Sequence, residues 1–159
     1  MVDVERKITV HTSADAVVGY LKDFANAEQW DPGTVSCVRV GSGEPDGGGG
    51  AIGGPIGVGA RWHNVSNFRG RETELDYRLD RLEARRVVFV GTNRTATSTD
   101  DLTITEEPGG TVITYHANIV FHGLAKLADP FLKWQFEKLG DEVVGTMTTA
   151  LMALESGPS

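Results

Sequence analysis

Cysteine is nearly absent from this sequence, which has 159 residues and a single cysteine, Cys37. One cysteine excludes an intramolecular disulfide and a metal site built from several cysteines. Cys37 lies in a segment of alternating apolar residues. We therefore predict a small buried side chain there rather than a nucleophile.

Long apolar runs are also missing. The first ten residues mix acidic and basic side chains, where a signal peptide would need a continuous apolar segment. The longest uncharged run, 47–60, has 14 residues and is mostly glycine, whereas a bilayer-spanning helix needs about 20 apolar residues. We expect no membrane insertion and a cytoplasmic protein.

Positive charge is scarce, since 15 basic residues face 22 acidic ones and the net charge is -7. Binding to a phosphate backbone needs a basic patch, so we expect no nucleic acid partner. A chain of this length can bury a sizeable core as one unit. We predict a single domain over residues 1–159.

The common motifs of catalytic and metal sites are absent as well. The sequence has neither a Gly-x-Ser-x-Gly elbow nor a His-Glu-x-x-His pair, which argues against serine hydrolases and zinc proteases. His116 and His122 share one face of a predicted strand but lie about 20 Å apart at 3.3 Å per residue, so they cannot share an ion. We predict exposed histidines, no metal site and no cofactor.

Glycine, by contrast, is concentrated in one place. Ten of the 20 glycines lie between Gly41 and Gly59. A phosphate cradle would need a helix start or a lysine after the glycines, and neither follows. We predict a mobile loop between two strands.

The amino-terminal third predicts one strand and two short helices. Apolar and polar residues alternate over 2–11, with Arg6 interrupting the apolar face, which is typical of a half-buried strand. Ser13 is a suitable N-cap for a helix that carries Val17 and Leu21. Pro32 then ends helical structure.

The middle of the chain predicts six strands joined by short turns, which favours antiparallel neighbours. Their expected ranges are 34–40, 60–68, 71–83, 86–91, 97–105 and 111–122. A long helix over 129–155 follows, with Asp129 as a cap and Pro130 in the first turn. Its apolar residues recur at spacings of four and three: Leu132, Phe136, Leu139, Val143, Met147, Ala150 and Leu154.

Aromatic residues on the predicted inward faces are the strongest functional signal. They come from four strands and the last helix, and they either line a concave space or fill an ordinary core. Polar atoms on the same faces need partners, which a ligand or water in a cavity would supply. The candidates are Trp62, Asn64, Tyr77, Phe89, Tyr115, Gln135 and Phe136.

Asp100 is the candidate acid or base. It shares the face of Leu102 and Ile104, which would aim it inward, although a place at the sheet edge is the alternative. The neighbouring pairs Asp100-Asp101 and Glu106-Glu107 are poor acid-base pairs, because adjacent strand residues point to opposite faces.

Several segments together resemble the START-like SRPBCC superfamily, in its polyketide cyclase/dehydrase branch. They are the helix at 13–21, Asp23-Phe24, Trp30-Asp31-Pro32, PIGVGARW at 55–62, RGRETELDY at 69–77 and GGTVITY at 109–115. The resemblance implies an α+β helix-grip fold. In it, a curved antiparallel sheet of about seven strands wraps around a long C-terminal helix, with two short helices between the first two strands.

The resemblance also implies a cavity between the sheet and the last helix. Its lining would include the aromatic and polar candidates above and Leu139, with the segment before Gly59 near the mouth. Fold alone specifies no reaction. We predict binding of a small or medium hydrophobic ligand, a lipid or a polyketide-like molecule, by a monomer or homodimer.

Two alternatives stay open. One is a polyketide cyclase or dehydratase in which Tyr77 or Tyr115 donates a proton and Asp100 acts as base. The other is a non-enzymatic protein-interaction or stress-response module, for which Trp134, away from the apolar stripe of the last helix, is the only hint.

Overall fold

The computed structural model describes residues 1–41, 55–68, 70–123 and 129–154. Seven antiparallel strands form one sheet in the order β1-β7-β6-β5-β4-β3-β2. The strands are β1 (Val2–Val10), β2 (Thr34–Val40), β3 (Arg61–Phe68), β4 (Arg71–Glu83), β5 (Arg86–Thr92), β6 (Ala96–Glu107) and β7 (Gly110–Phe121). The predicted helix-grip arrangement is confirmed.

Two short helices connect β1 to β2, as predicted. Helix α1 (Ala14–Leu21) begins after Ser13, whose hydroxyl accepts a hydrogen bond from the Ala16 amide at 3.2 Å. A single 3₁₀ turn, Phe24–Asn26, leads into α2 (Ala27–Trp30). Because Pro32 follows α2 within two residues, the chain turns there into β2.

The long helix α3 (Asp129–Met152) lies against the inner face of the sheet. Its second half supplies the buried residues Val143, Met147 and Leu151. The helix was predicted to extend to residue 155, but it ends at Met152 and residues 153 and 154 form a turn. Trp134 is 68% exposed, as expected for a residue away from the apolar stripe.

Arg6 explains the break in the apolar face of β1. Its Nε donates to Asp141 Oδ1 of α3 at 2.9 Å, and an Nη donates to the Glu137 carbonyl at 3.1 Å. Gly140 lies between these two helix residues and lets the helix approach Val4 of β1 closely. The polar residue that interrupts the apolar pattern of β1 therefore connects this strand to helix α3.

Cys37 is buried in the core, as predicted. Burial raises the pKa of its thiol to about 12, which keeps the thiol protonated and unreactive at neutral pH.

The glycine-rich loop falls largely on residues 42–54, which lie outside the described residues. Within the described ranges, none of the helices combines the length and the apolar composition that a membrane span requires.

Candidate functional site

A cavity of about 470 Å³ lies between the inner face of the sheet and the first half of α3. This volume is within the range of small-molecule binding sites. Most of its wall is apolar, formed by residues that include Val2, Val4, Leu75, Ile119, Phe121 and Leu132. The alternation of inward residues along β1, β4 and β7 places the strand side chains on one surface, and Leu132 belongs to α3.

One end of the cavity carries four buried polar side chains: Tyr77, Ser98, Asp100 and Tyr115. Asp100 pairs with Ala117 across β6 and β7, so Tyr115 is its diagonal neighbour, within reach of a long side chain. The Tyr115 hydroxyl donates a hydrogen bond to Asp100 Oδ1 at 2.6 Å. Tyr77 and Ser98 both pair with Gly91 of β5, which brings them together beside that pair.

Asp100 keeps one unused acceptor in this cluster. Its Oδ2 is buried and has no hydrogen-bond partner within the described part of the chain. An unpaired buried acceptor loses the hydrogen bonds it makes in water, a cost of about 1–3 kcal/mol. A bound molecule with a hydrogen-bond donor would recover that loss.

The pKa values of the cluster follow from burial. Burial raises the pKa of Asp100 to about 6, and the negative charge of Asp31 adds to the rise, while the Tyr115 hydrogen bond and the nearby Tyr77 hydroxyl oppose it. Burial also holds the pKa values of Tyr77 and Tyr115 well above their usual range. Both tyrosines are therefore protonated at neutral pH and can donate hydrogen bonds. Asp100 exchanges its proton about one pH unit below neutrality.

Asp31 is a second carboxyl group in the cavity wall, and sequence reasoning did not select it. Its Oδ1 accepts from the Gly33 amide and its Oδ2 from the Thr34 hydroxyl, both at 2.9 Å. Burial raises its pKa. In the sequence, Trp30-Asp31-Pro32 marked the end of a helix and contributed to the family resemblance, but nothing in the local pattern places Asp31 in the wall of the cavity.

The other end of the cavity is open and polar. Arg71, Thr73, Asn67 and Thr95 line it and are exposed. Among the described residues that line the cavity, Arg71 is the one basic residue. Its side chain forms no ion pair or hydrogen bond with any described residue. Arg71 and Ser98 could have been selected from the sequence, because each shares the inward parity of its strand with a chosen tyrosine or aspartate.

Five of the predicted site residues line the cavity: Tyr77, Asp100, Tyr115, Phe136 and Leu139. Three of them line it from the sheet, and the last two line it from helix α3. The expectation that Asp100 points inward is confirmed by its exposure of 5%.

Trp62 and Phe89 are placed differently from the expectation. Both are fully buried, with ring centroids 5.6 Å apart, and neither lines the cavity. Phe24 of the 3₁₀ turn covers Phe89 at 4.5 Å and stacks on Tyr77 at 4.3 Å. The Trp62 indole donates to Asp23 Oδ1 at 3.1 Å. These two aromatics form the core layer behind the cavity, which was the alternative interpretation.

Asn64 and Gln135 also do not line the cavity. Asn64 is buried and its amide is used within the protein: it donates to the Thr34 hydroxyl at 3.2 Å and accepts from the Ser66 hydroxyl at 2.7 Å. The partner predicted for Asn64 is therefore a neighbouring side chain and not a ligand.

The mouth is not formed by the described residues before Gly59. The Gly59 amide hydrogen-bonds to the Leu79 carbonyl, eight residues along β4 from Arg71 at the open end, and none of residues 55–59 lines the cavity. The rest of that segment, 42–54, lies outside the described residues. In the described part of the chain, no group of three histidine, cysteine or acidic side chains is placed to hold a metal ion.

Comparison with protein families gives one match that spans nearly the whole chain. The family model described as polyketide cyclase / dehydrase and lipid transport matches residues 1–152. A comparison with curated protein sequences finds no match.

Solved structures share the fold at low sequence identity. TTHA0849 from Thermus thermophilus is 13% identical, with a TM-score of 0.71 over 96% of this chain and 97% of its own. Zhui aromatase/cyclase from Streptomyces sp. R1128 is also 13% identical, with a TM-score of 0.69 over 97% and 93%. A START superfamily protein from Mycobacterium smegmatis is 15% identical, with a TM-score of 0.65 over 95% and 94%.

Two similar structures are longer than this chain. The di-domain ARO/CYC StfQ of the steffimycin biosynthetic pathway is 13% identical, with a TM-score of 0.68, and the match covers 99% of this chain but 52% of that one. The chain likewise spans 48% of the di-domain ARO/CYC BexL. At these identities the likeness concerns the fold.

Proposed function

Because the chain belongs to the polyketide cyclase / dehydrase and lipid transport family, we propose that it binds a small or medium hydrophobic molecule in the cavity beneath α3. The observation that carries this proposal is the cavity of about 470 Å³ with its largely apolar wall. A lipid or a polyketide-like aromatic molecule matches that surface. We also expect the protein to act in the cytoplasm, as a monomer or homodimer.

The apolar wall supplies most of the binding free energy in this proposal. Burial of apolar surface contributes about 25 cal/mol per Å², so a ligand that buries roughly 300 Å² gains about 7.5 kcal/mol before the costs of association. The polar cluster around Asp100 would then orient the ligand through one or two hydrogen bonds.

Fluorescence titration with the neutral apolar dye N-phenyl-1-naphthylamine tests binding. Ala117 lines the cavity, so Ala117→Phe should fill part of it and weaken dye binding at least tenfold. Val120 lies on the same strand with an exposed side chain, so Val120→Phe should leave dye affinity unchanged. A folded protein that binds neither this dye nor any lipid in native mass spectrometry would contradict the proposal.

The free oxygen of Asp100 favours a second candidate function, polyketide cyclisation or dehydration. In this reaction Asp100 as a carboxylate removes a proton from the carbon between two carbonyl groups. The electron pair moves onto a carbonyl oxygen, which accepts a hydrogen bond from Tyr77, while Tyr115 holds the carboxyl group in place. The resulting enolate attacks a second carbonyl carbon, and Asp100 returns the proton to the new alkoxide.

Turnover of a poly-β-keto thioester measures this second function. Asp100→Asn should lower kcat by a factor of about 100 or more, since general base catalysis contributes 10²–10⁴-fold. Asp101→Asn is the matched control, because Asp101 lies next to Asp100 but pairs with Arg86 at 2.7 Å on the other face. Unchanged turnover in Asp100→Asn would exclude Asp100 as the base, and ligand binding without any turnover would leave binding as the function.

A further inference from the structure

Charged groups are distributed unevenly along the cavity. Asp31 and Asp100 lie in its wall together with the two tyrosines, and Arg71 lines the open end. No carboxylate of the described residues pairs with Arg71, whereas Arg6, Arg78, Arg85 and Arg86 each hold one. The guanidinium group is therefore available to a bound molecule.

The buried end disfavours a negatively charged ligand group. Two carboxyl groups there would repel it, and its hydration would be lost without a cation to replace it. The same end suits a neutral hydrogen-bond donor, because Asp100 Oδ2 is buried and unpartnered in the described part of the chain. Tyr115 occupies the other oxygen at 2.6 Å.

Strand geometry sets the distance between the two ends. Arg71 and Tyr77 both point inward from β4 and are six residues apart, which corresponds to about 20 Å at 3.3 Å per residue. Arginine and tyrosine side chains are each long enough to extend part of the way across this gap. A ligand that reaches from one end to the other therefore needs an extended apolar middle, which would lie against Leu75 and Phe136.

We propose that the cavity selects amphipathic acids in one orientation, with a carboxylate at Arg71, an apolar middle along the wall, and a hydroxyl donating to Asp100 Oδ2. This rests on the proposed ligand-binding function and specifies the class of ligand. An arginine side chain can bind a carboxylate with two parallel hydrogen bonds, which also fixes the direction of the ligand.

Three probes that differ by single groups test the proposal by isothermal titration calorimetry at neutral pH. 4′-Hydroxybiphenyl-4-carboxylic acid carries both groups, biphenyl-4-carboxylic acid lacks the hydroxyl, and 4-phenylphenol lacks the carboxylate. The hydroxy acid should bind most tightly, and loss of either group should weaken binding about threefold or more.

Variants assign each group to its residue. Arg71→Gln should weaken both acids about threefold or more and leave 4-phenylphenol unchanged, and Arg71→Lys should restore part of the loss. Arg61→Gln is the control for loss of one positive charge, because Arg61 is exposed and does not line the cavity. Asp100→Asn should reduce the advantage of the hydroxyl-bearing acid, since a charge-assisted hydrogen bond is replaced by a neutral one.

The results separate this proposal from the one on which it rests. If 4-phenylphenol binds as tightly as the hydroxy acid, or if Arg71→Gln affects all three probes equally, the amphipathic selection is wrong while hydrophobic binding stands. If no probe binds and N-phenyl-1-naphthylamine does not bind either, the ligand-binding function itself fails.

Discussion

The hydroxyl of Tyr115 lies 2.6 Å from Asp100 Oδ1 in the wall of the cavity. The two side chains are 8% and 5% exposed, so their hydrogen bond forms largely away from solvent. The pair joins β6 to β7 and leaves Asp100 Oδ2 buried and without a hydrogen-bond partner among the described residues. We therefore expect this contact to affect both the stability of the protein and the ligand binding proposed for the cavity.

Asp100 should make the stability of the protein depend on pH. Its pKa is raised to about 6 in the folded state, whereas an unfolded aspartate loses its proton near pH 4. Between these values the folded state binds more protons, so the free energy of unfolding should fall as pH rises from about 4 to about 6, by up to roughly 3 kcal/mol.

Urea unfolding at several pH values checks this dependence. Asp100→Asn should reduce the decline between pH 4 and 6, leaving the part due to Asp31, whose pKa burial also raises, and should make the protein more stable than wild type at pH 7. Asp101→Asn should keep the wild-type slope. An identical pH profile in wild type and Asp100→Asn would show that Asp100 has an ordinary pKa.

Tyr115→Phe should raise the pKa of Asp100 above about 6, because the hydrogen bond that stabilises the carboxylate is lost. Removing the donor should also lower the free energy of unfolding at pH 7 by about 1–3 kcal/mol. A carboxyl ¹³C NMR titration measures the first effect and urea unfolding the second.

Tyr20→Phe is the control for Tyr115→Phe. The Tyr20 hydroxyl donates to Gln29 Oε1 at 2.6 Å near the surface, so its loss should cost less than about 1 kcal/mol and leave the pKa of Asp100 unchanged. If the two substitutions lowered the free energy of unfolding equally, burial would not make the Tyr115 hydrogen bond more stabilising than one at the surface.

Gly91→Ala should disturb the position of Tyr77. A Cβ atom at residue 91 would lie 2.6 Å from Cζ of the Tyr77 ring, which stands over this glycine from the neighbouring strand. The ring must move, so we expect a loss of about 1–3 kcal/mol in unfolding free energy and weaker dye binding.

Two comparisons sharpen the test at Gly91. Gly19→Ala, where a Cβ meets no atom within 4 Å, lies in helix α1 and should stabilise the protein slightly. In a Tyr77→Ala background, Gly91→Ala should cost clearly less than in the wild type. Full additivity of the two substitutions would rule out the steric contact.

Gly140→Ala should push helix α3 away from β1. The added Cβ would lie 2.7 Å from Cγ1 of Val4, and both residues line the cavity. We expect a loss of about 1–3 kcal/mol in thermal or urea unfolding, which Val4→Ala should partly relieve.

Gly145→Ala, in the same helix, is expected to have the opposite effect on stability. A Cβ there meets no atom within 4 Å, so alanine should raise stability by up to about 1 kcal/mol through helix propensity. If Gly140→Ala also stabilised the protein, the close contact between α3 and β1 at this glycine would be contradicted.

The order of the elements could be predicted from the sequence because each element has a local cause. Alternation along β4 separates Tyr77 and Leu79 from the charged outer face, and Ser13 starts α1 through its own hydroxyl. The same parity placed Tyr77, Asp100 and Tyr115 on the inner face, where the structure has them.

The depth of an inward side chain could not be predicted in the same way. Trp62 and Tyr77 are direct partners across β3 and β4, yet Tyr77 lines the cavity and Trp62 does not. Phe24 lies within aromatic contact of both, and its position depends on how the 3₁₀ turn packs on the sheet.

Periodicity and capping over a few residues were enough to predict the strands, the helices and the face on which each side chain lies. Which inward residues meet a cavity, and which meet one another, depends on how the elements pack in three dimensions. Asp31 illustrates the difference: its contacts to Gly33 and Thr34 are local, but its place in the same wall as Asp100 arises from packing between segments distant in sequence.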